Sequence, residues 1–209
     1  MKKQSKKEKT TWFYSEKVKK HFFNPKNFIR TEEEIKNFKA DGVGMVGSPA
    51  CGDMMKMWIK VDKKKETIKD VKWQTFGCAS AIATTSVLSE IVKGMPLEEA
   101  RKITPKEIVD KLAGVPAVKY HCSVLGDKAL REAINDYFKR TKQYERVITD
   151  SPIIDNTLKI TERDIENAVI EGAKTLREVQ HKTKIGISNK KIKTKVEKLI
   201  QQYRKKHGV

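Results

Sequence analysis

Three cysteines are the residues of this sequence best suited to bind a metal. Cys51 lies in "ACGD", Cys78 in "FGCAS" and Cys122 in "HCS". No two of them have Cys-x-x-Cys spacing, which excludes a zinc ribbon or a zinc finger. Asp53 and His121 stand beside the first and third cysteines. Three thiolates with one histidine or aspartate would complete a four-ligand site that suits zinc or an iron–sulfur cluster.

The cysteines lie at junctions between loops and predicted elements. Cys78 follows Gly77 and precedes a predicted helix, and Cys122 precedes another. The positive end of a helix stabilises a thiolate, which is the form that binds a metal. A single cysteine is as well explained as a small buried residue, but three at such junctions favour ligands. A Cys–His hydrolase is less favoured, because neighbours such as His121 and Cys122 rarely point toward each other.

Two kinds of periodicity predict the elements that position these residues. Apolar and polar residues alternate in "DMMKMWIKVD" and again in "TIKDVKWQTFG", with a polar turn between them, which predicts an antiparallel hairpin. The Gly-rich stretch "GVGMVGSPACGD" before it is interpreted as a loop. Helical patterns begin near residues 79, 104 and 123. Strands followed by helices predict an α+β domain that ends near residue 140.

The rest of the chain predicts a small second domain. Residues 141–160 are polar and are interpreted as a linker or a short extended piece around Ser151–Pro152. "TERD" at 161–164 and "TLRE" at 175–178 each resemble a capped helix start, and a third helix is expected near 190–205. Three short helices therefore form the predicted domain at residues 161–209.

Charge and hydropathy limit the classes of partner. The chain has 45 Lys+Arg against 27 Asp+Glu, a net charge of +18, and a basic tail at residues 1–11. Basic ends can bind nucleic acid, but few aromatic residues accompany these, so a solvated Lys-rich surface is favoured. No apolar run reaches the roughly 20 residues of a membrane span, so no membrane partner is expected. A cytoplasmic protein with reduced cysteines is expected.

Four segments resemble the IscU/NifU family of iron–sulfur cluster assembly scaffolds. They are "YSEKVKKHFFNPKN", "GMVGSPACGDMMKMWIKV", "WQTFGCASAIATTSVLSEIVKG" and "VKYHCSVLGDKALREAINDY". The resemblance covers residues 12–140 and implies a three-stranded antiparallel sheet with helices packed on one face. The site residues that it implies are Cys51, Asp53, Cys78, Lys119, His121 and Cys122.

The resemblance also implies roles for these residues. The three cysteines would be cluster ligands, and Asp53 or His121 would supply the fourth ligand. Asp53 would also modulate the lability of the cluster, and Lys119 matches a lysine of the family motif near the site. Such scaffolds take sulfur from a cysteine desulfurase and Fe²⁺, build a transient [2Fe-2S] cluster, and pass it to apo-proteins. They often hold Zn²⁺ when iron is absent.

The sequence departs from the family at one motif for a partner. The chaperone-binding "LPPVK" reads "GVPAVK" here, with Ala117 replacing the second proline. This weakens the expectation of an Hsp70-type chaperone as a partner. A homodimer is left open.

The second domain resembles the helical [2Fe-2S] domain of bacterioferritin-associated ferredoxin. The four cysteine ligands of that domain fall on Asp155, Thr157, Asn189 and Ile192. None of these is a cysteine, so a helical domain without a cluster is expected.

The chain is therefore interpreted as a scaffold or carrier protein and not as an enzyme in the strict sense. The first alternative is a structural zinc-binding interaction protein that uses the same residues. The second and less favoured alternative is a nucleic-acid-binding module based on the basic helical tail.

Overall fold

A computed structural model describes residues 14–48, 53–114, 124–186 and 192–208. At Ser48, Asp53 and Val124 the backbone alone is described. The basic tail at residues 1–11 lies outside the described residues. The site positions Cys51, Lys119, His121 and Cys122 and the aligned position Asn189 lie outside them as well.

A three-stranded antiparallel sheet forms the centre of the first domain. Its strands β1 (Gly42–Ser48), β2 (Asp53–Asp62) and β3 (Thr67–Thr75) follow one another in space as in the sequence. One face of the sheet carries the fully buried side chains of Met57 and Trp73, which are opposite each other in the β2–β3 pair. The predicted hairpin and the predicted α+β class are confirmed.

Strand β1 arises from the stretch that the sequence interpretation had treated as a loop. Gly42 and Gly44 occupy the positions of β1 that face helix α6 (Val124–Arg140). A Cβ atom at either glycine would collide with the α6 backbone, at Ala133 or at Ala129. Apolar periodicity could not detect this strand, because its helix-facing positions have no side chains.

Most helices of the first domain share a core with the buried face of the sheet. The described helices of this domain before α6 are α1 (Glu16–Phe23), α2 (Glu32–Phe38), α3 (Ala79–Ile91), α4 (Leu97–Ala100) and α5 (Pro105–Lys111). Ser15 caps α1, and Thr104 with Glu107 forms the predicted capping box of α5. Helices α3 and α6 pack against the sheet and against each other.

The C-terminal part of the chain has a core of its own. Its elements are strands β4 (Ile153–Asp155) and β5 (Ile160–Thr161) and helices α7 (Glu162–Ile170), α8 (Leu176–Thr183) and α9 (Lys193–His207). Both predicted capping boxes are formed, by Thr161 with Asp164 and by Thr175 with Glu178. Helix α9 buries Val196, Leu199, Ile200 and Tyr203. We call residues 153–207 the helical unit.

The helical unit contacts the scaffold domain through α6 and the second face of the sheet. Arg163 of α7 forms an ion pair with Glu132 of α6 at 2.6 Å, and Lys139 pairs with Asp164 at 2.5 Å. Trp58, which lies on the second face of the sheet, packs against α2. Among the described residues, no helix combines the length and the hydropathy that crossing a membrane requires.

Candidate metal centre

Cys78 is the one predicted cysteine ligand within the described residues. It occupies the N-cap position of α3 and is partly exposed. Its side chain makes no capping hydrogen bond, although the first backbone N–H groups of a helix lack partners within the helix. The thiol therefore stands at the positive end of a 13-residue helix, where a bound thiolate would be stabilised.

The turn that carries Cys78 is tied to the beginning of β2. The Thr75 hydroxyl donates a hydrogen bond to the carbonyl oxygen of Met54 at 2.5 Å, and Phe76 N–H donates to the same oxygen at 3.3 Å. Gly77 N–H donates to the Thr75 hydroxyl oxygen at 3.0 Å. Met54 directly follows Asp53, so the backbone of that predicted ligand position lies next to the Cys78 turn.

The beginning of α6 lies at the same end of the sheet. Gly42 lies beside Ala133 of α6, and Gly44 lies beside Ala129. The helix therefore runs in the opposite direction to β1 and begins near the end of that strand. The first turn of α6 also packs on α3: a Cβ atom on Gly126 would lie 2.8 Å from the Thr85 hydroxyl oxygen. Cys122 precedes this helix by two residues in the sequence.

The segments leading to all three cysteines thus reach one end of the sheet. Residues 49–52, with Cys51, connect the ends of β1 and β2, whose last described pair is Ser48 opposite Asp53. The positions of Lys119 and His121 lie in the segment before α6, outside the described residues. Nowhere in the described ranges do three His, Cys, Asp or Glu side chains form a metal-binding group.

Sequence reasoning missed two buried polar groups where α3 and α6 meet. Thr85 Oγ1 and Asp127 Oδ1 are buried and make no hydrogen bond with any part of the chain that the structure describes. Burial raises the pKa of Asp127 against the opposing effect of its ion pair with Arg131. An aspartate in the first turn of a helix is a common feature, so its type and position gave no signal of burial.

The helical unit contains Asp155 and Ile192, two of the positions that the predicted ferredoxin-like resemblance singled out. The Asp155 side chain is 1% exposed and accepts hydrogen bonds from the N–H groups of Thr157, Leu158 and Gly186, at 3.0, 3.3 and 3.1 Å. Ile192 packs against the core of the unit. Both side chains therefore have structural roles within the helical unit.

Comparison with known proteins identifies the first domain. Residues 13–144 match the model of the NifU-like N terminal domain. This chain belongs to that family. The shared region contains all three cysteines and the elements that converge on one end of the sheet. The predicted resemblance to IscU and NifU is confirmed for this part of the chain.

Two relatives agree with this assignment by sequence. The chain is 48% identical over 134 residues to "Iron-sulfur cluster assembly scaffold protein IscU 1" of Archaeoglobus fulgidus, which covers 64% of this chain and 82% of the relative. It is 46% identical over 126 residues to "Nitrogen fixation protein NifU" of a Nostoc species, covering 60% of this chain and 42% of that protein. The N-terminal part of a NifU-like protein from Brucella abortus superimposes with a TM-score of 0.45 at 16% identity, covering 60% and 94%.

Proposed function

We propose that this protein is a scaffold on which an iron–sulfur cluster is assembled and then transferred to other proteins. One observation carries the proposal: the ends of β1 and β2, the Cys78 turn and the start of α6 meet at one end of the sheet. These segments lead to the three cysteines of a family whose members include named scaffolds. The cluster is the cargo of the protein, so no turnover chemistry is required of the chain.

Each predicted site residue has a role in this proposal. Cys51, Cys78 and Cys122 hold the growing cluster as thiolates, and Asp53 or His121 provides the fourth ligand. A carboxylate oxygen is a harder ligand than a thiolate, so Asp53 would bind a soft cluster weakly and favour its release. Lys119 would act near the site as a modulating cation.

The cluster is proposed to be [2Fe-2S], built from Fe²⁺ and from sulfur supplied by a cysteine desulfurase. Apo iron–sulfur proteins are the proposed acceptors, and the cytoplasm is the proposed location. Zn²⁺ would occupy the same thiolates when iron is absent. We further propose the division into a scaffold domain at residues 12–140 and a helical domain, without a cluster, whose three helices lie within residues 161–209.

The test is anaerobic assembly on the full-length protein. The protein is mixed with a cysteine desulfurase, cysteine and ferrous iron, and visible absorption and bound iron and sulfide are recorded. We expect wild type to develop a cluster spectrum and Cys78→Ser to lose most of it, because a hydroxyl is a poor substitute for a thiolate. Glu90→Ser, at an exposed residue of α3, is the matched control and should assemble normally.

The proposal would be overturned if the protein behaved as a structural zinc protein. In that case wild type would stay colourless under these conditions and retain zinc through repeated additions of iron and sulfide.

A further inference from the structure

We infer that Asn167 and Glu171 of α7 form a clamp that positions the end of the β1–β2 hairpin carrying Cys51. The inference rests on the proposed function, because it assigns the helical unit a part in retaining the cluster. Asn167 and Glu171 would be positioning residues, since they contact the strands and not the cluster. Neither residue was singled out by the sequence.

The clamp contacts β1 and β2 at two residues that are paired with each other in the sheet, and we call this pair the clamp level. Asn167 Nδ2 donates a hydrogen bond to the carbonyl oxygen of Met45 in β1 at 3.2 Å. Glu171 Oε1 pairs with Lys56 Nζ of β2 at 2.6 Å. Met45 and Lys56 are direct partners in the β1–β2 ladder. One helix therefore fixes two opposite positions of the hairpin through two different kinds of contact.

This level of the sheet is close to the proposed metal centre. Between the Met45–Lys56 pair and the last pair, Ser48–Asp53, the ladder advances by three residues. At about 3.4 Å per residue, the separation is roughly 10 Å along the strands. Residues 49–52, which include Cys51, join the two strands beyond this pair. Restraint at the clamp thus limits how far the hairpin end can bend.

Glu171 is itself held in place within the helical unit. It forms the C-cap of α7, and Lys182 of α8 donates to its carboxylate at 3.2 Å and to its carbonyl oxygen at 3.0 Å. Burial opposes ionisation, but hydrogen bonds from Lys56 and Lys182 keep the pKa of Glu171 below its usual value. The carboxylate is therefore charged at neutral pH and bridges two lysines.

Contacts other than the clamp also attach the helical unit to the scaffold domain. The ion pairs of Arg163 with Glu132 and of Lys139 with Asp164 attach α7 to α6, whereas Asn167 and Glu171 attach it to β1 and β2. A variant of one of these pairs can therefore weaken docking while leaving both clamp contacts in place. This separation distinguishes hairpin positioning from general attachment of the two parts.

The test compares Glu171→Gln with wild type in the full-length protein. Glu171→Gln removes the ion pairs with both Lys56 and Lys182, and the Lys56 pair is the one that holds the hairpin. We expect the variant to assemble the cluster but to transfer it to an apo-ferredoxin about threefold faster, in keeping with the loss of partly exposed ion pairs. The visible circular dichroism of the bound cluster should change, because its cysteine geometry is less restrained. Lys139→Met is the matched control, and its transfer rate should remain within experimental error of wild type.

Amide hydrogen exchange in the cluster-free protein tests the clamp independently of cluster assembly. Amide hydrogen exchange near Val46 and Met54 should accelerate in Glu171→Gln and remain unchanged in Lys139→Met. Unchanged exchange in Glu171→Gln, or equal acceleration in both variants, would overturn the clamp. Failure of wild type to assemble a cluster would instead overturn the proposed function, and hydrogen exchange would still decide whether the clamp exists.

Discussion

Asp155 is a buried residue whose carboxylate has a structural role in the helical unit. Its carboxylate accepts hydrogen bonds from three backbone N–H groups, one of which belongs to Gly186, far along the chain. It therefore joins the turn after β4 to the residues just after α8.

Replacing Asp155 with alanine should destabilise the helical unit by about 3 kcal/mol, because buried N–H groups would lose their acceptor. Urea unfolding followed by far-ultraviolet circular dichroism measures the loss. Asp62→Ala is the control: its carboxylate also accepts from two backbone N–H groups, of Lys64 and Lys65, but in an exposed turn. There water can replace the carboxylate, so a similar loss in both variants would contradict the explanation.

At the scale of elements, the pairing of β1 with α6 is the contact that brings the segment before α6 to the sheet end. The two glycines of β1 let the helix backbone approach the strand closely. Ala129 and Ala133 on α6 are fully buried and present small side chains to the same contact. A short distance between these elements therefore depends on four small residues.

Gly44→Ala should destabilise the scaffold domain by about 2–3 kcal/mol, since the added methyl group would overlap the α6 backbone. It should also lower the yield of assembled cluster, because α6 would be displaced from the sheet. Thermal unfolding and bound iron measure the two effects. Gly94→Ala controls for backbone conformation: Gly94 has a φ of +82° and open space around it, so a cost of about 1 kcal/mol and a normal yield are expected.

At the scale of the whole molecule, ion pairs join the helical unit to the scaffold domain. Arg163 bridges Glu132 of α6 and Asp150 of the preceding connection, at 2.6 and 2.9 Å. The Glu132 side chain is 11% exposed, and burial raises its pKa despite the neighbouring Arg163. Attachment of the two parts thus depends on a carboxylate that is costly to leave unpaired.

Arg163→Met should therefore destabilise the full-length protein by about 2 kcal/mol at pH 7. A carboxyl group with a raised pKa favours the folded state at pH values below that pKa and loses this contribution as the pH rises through it. Without Arg163 the pKa of Glu132 rises further, so the variant should lose less stability at pH 4.5 than at pH 7. Urea unfolding at both pH values measures this difference. Arg177→Met, at an exposed residue of α8, should show no such dependence, and a pH-independent loss in Arg163→Met would contradict the argument.

The sequence by itself determined the features that depend on neighbouring residues. Alternation predicted the β2–β3 hairpin, capping boxes predicted the starts of α5, α7 and α8, and cysteine positions together with a family resemblance predicted the candidate ligands. Such features are readable because a helix cap or a strand face is formed by residues a few positions apart.

Tertiary structure decided the rest. Apolar periodicity does not reveal strand β1, because its glycines are explained by a helix backbone distant in sequence. The meeting of β1, β2, the Cys78 turn and α6 at one end of the sheet, and the contacts of Glu171 with Lys56, join residues far apart in the chain. Local patterns carry no information about such partners, since long-range contacts depend on how complete elements pack.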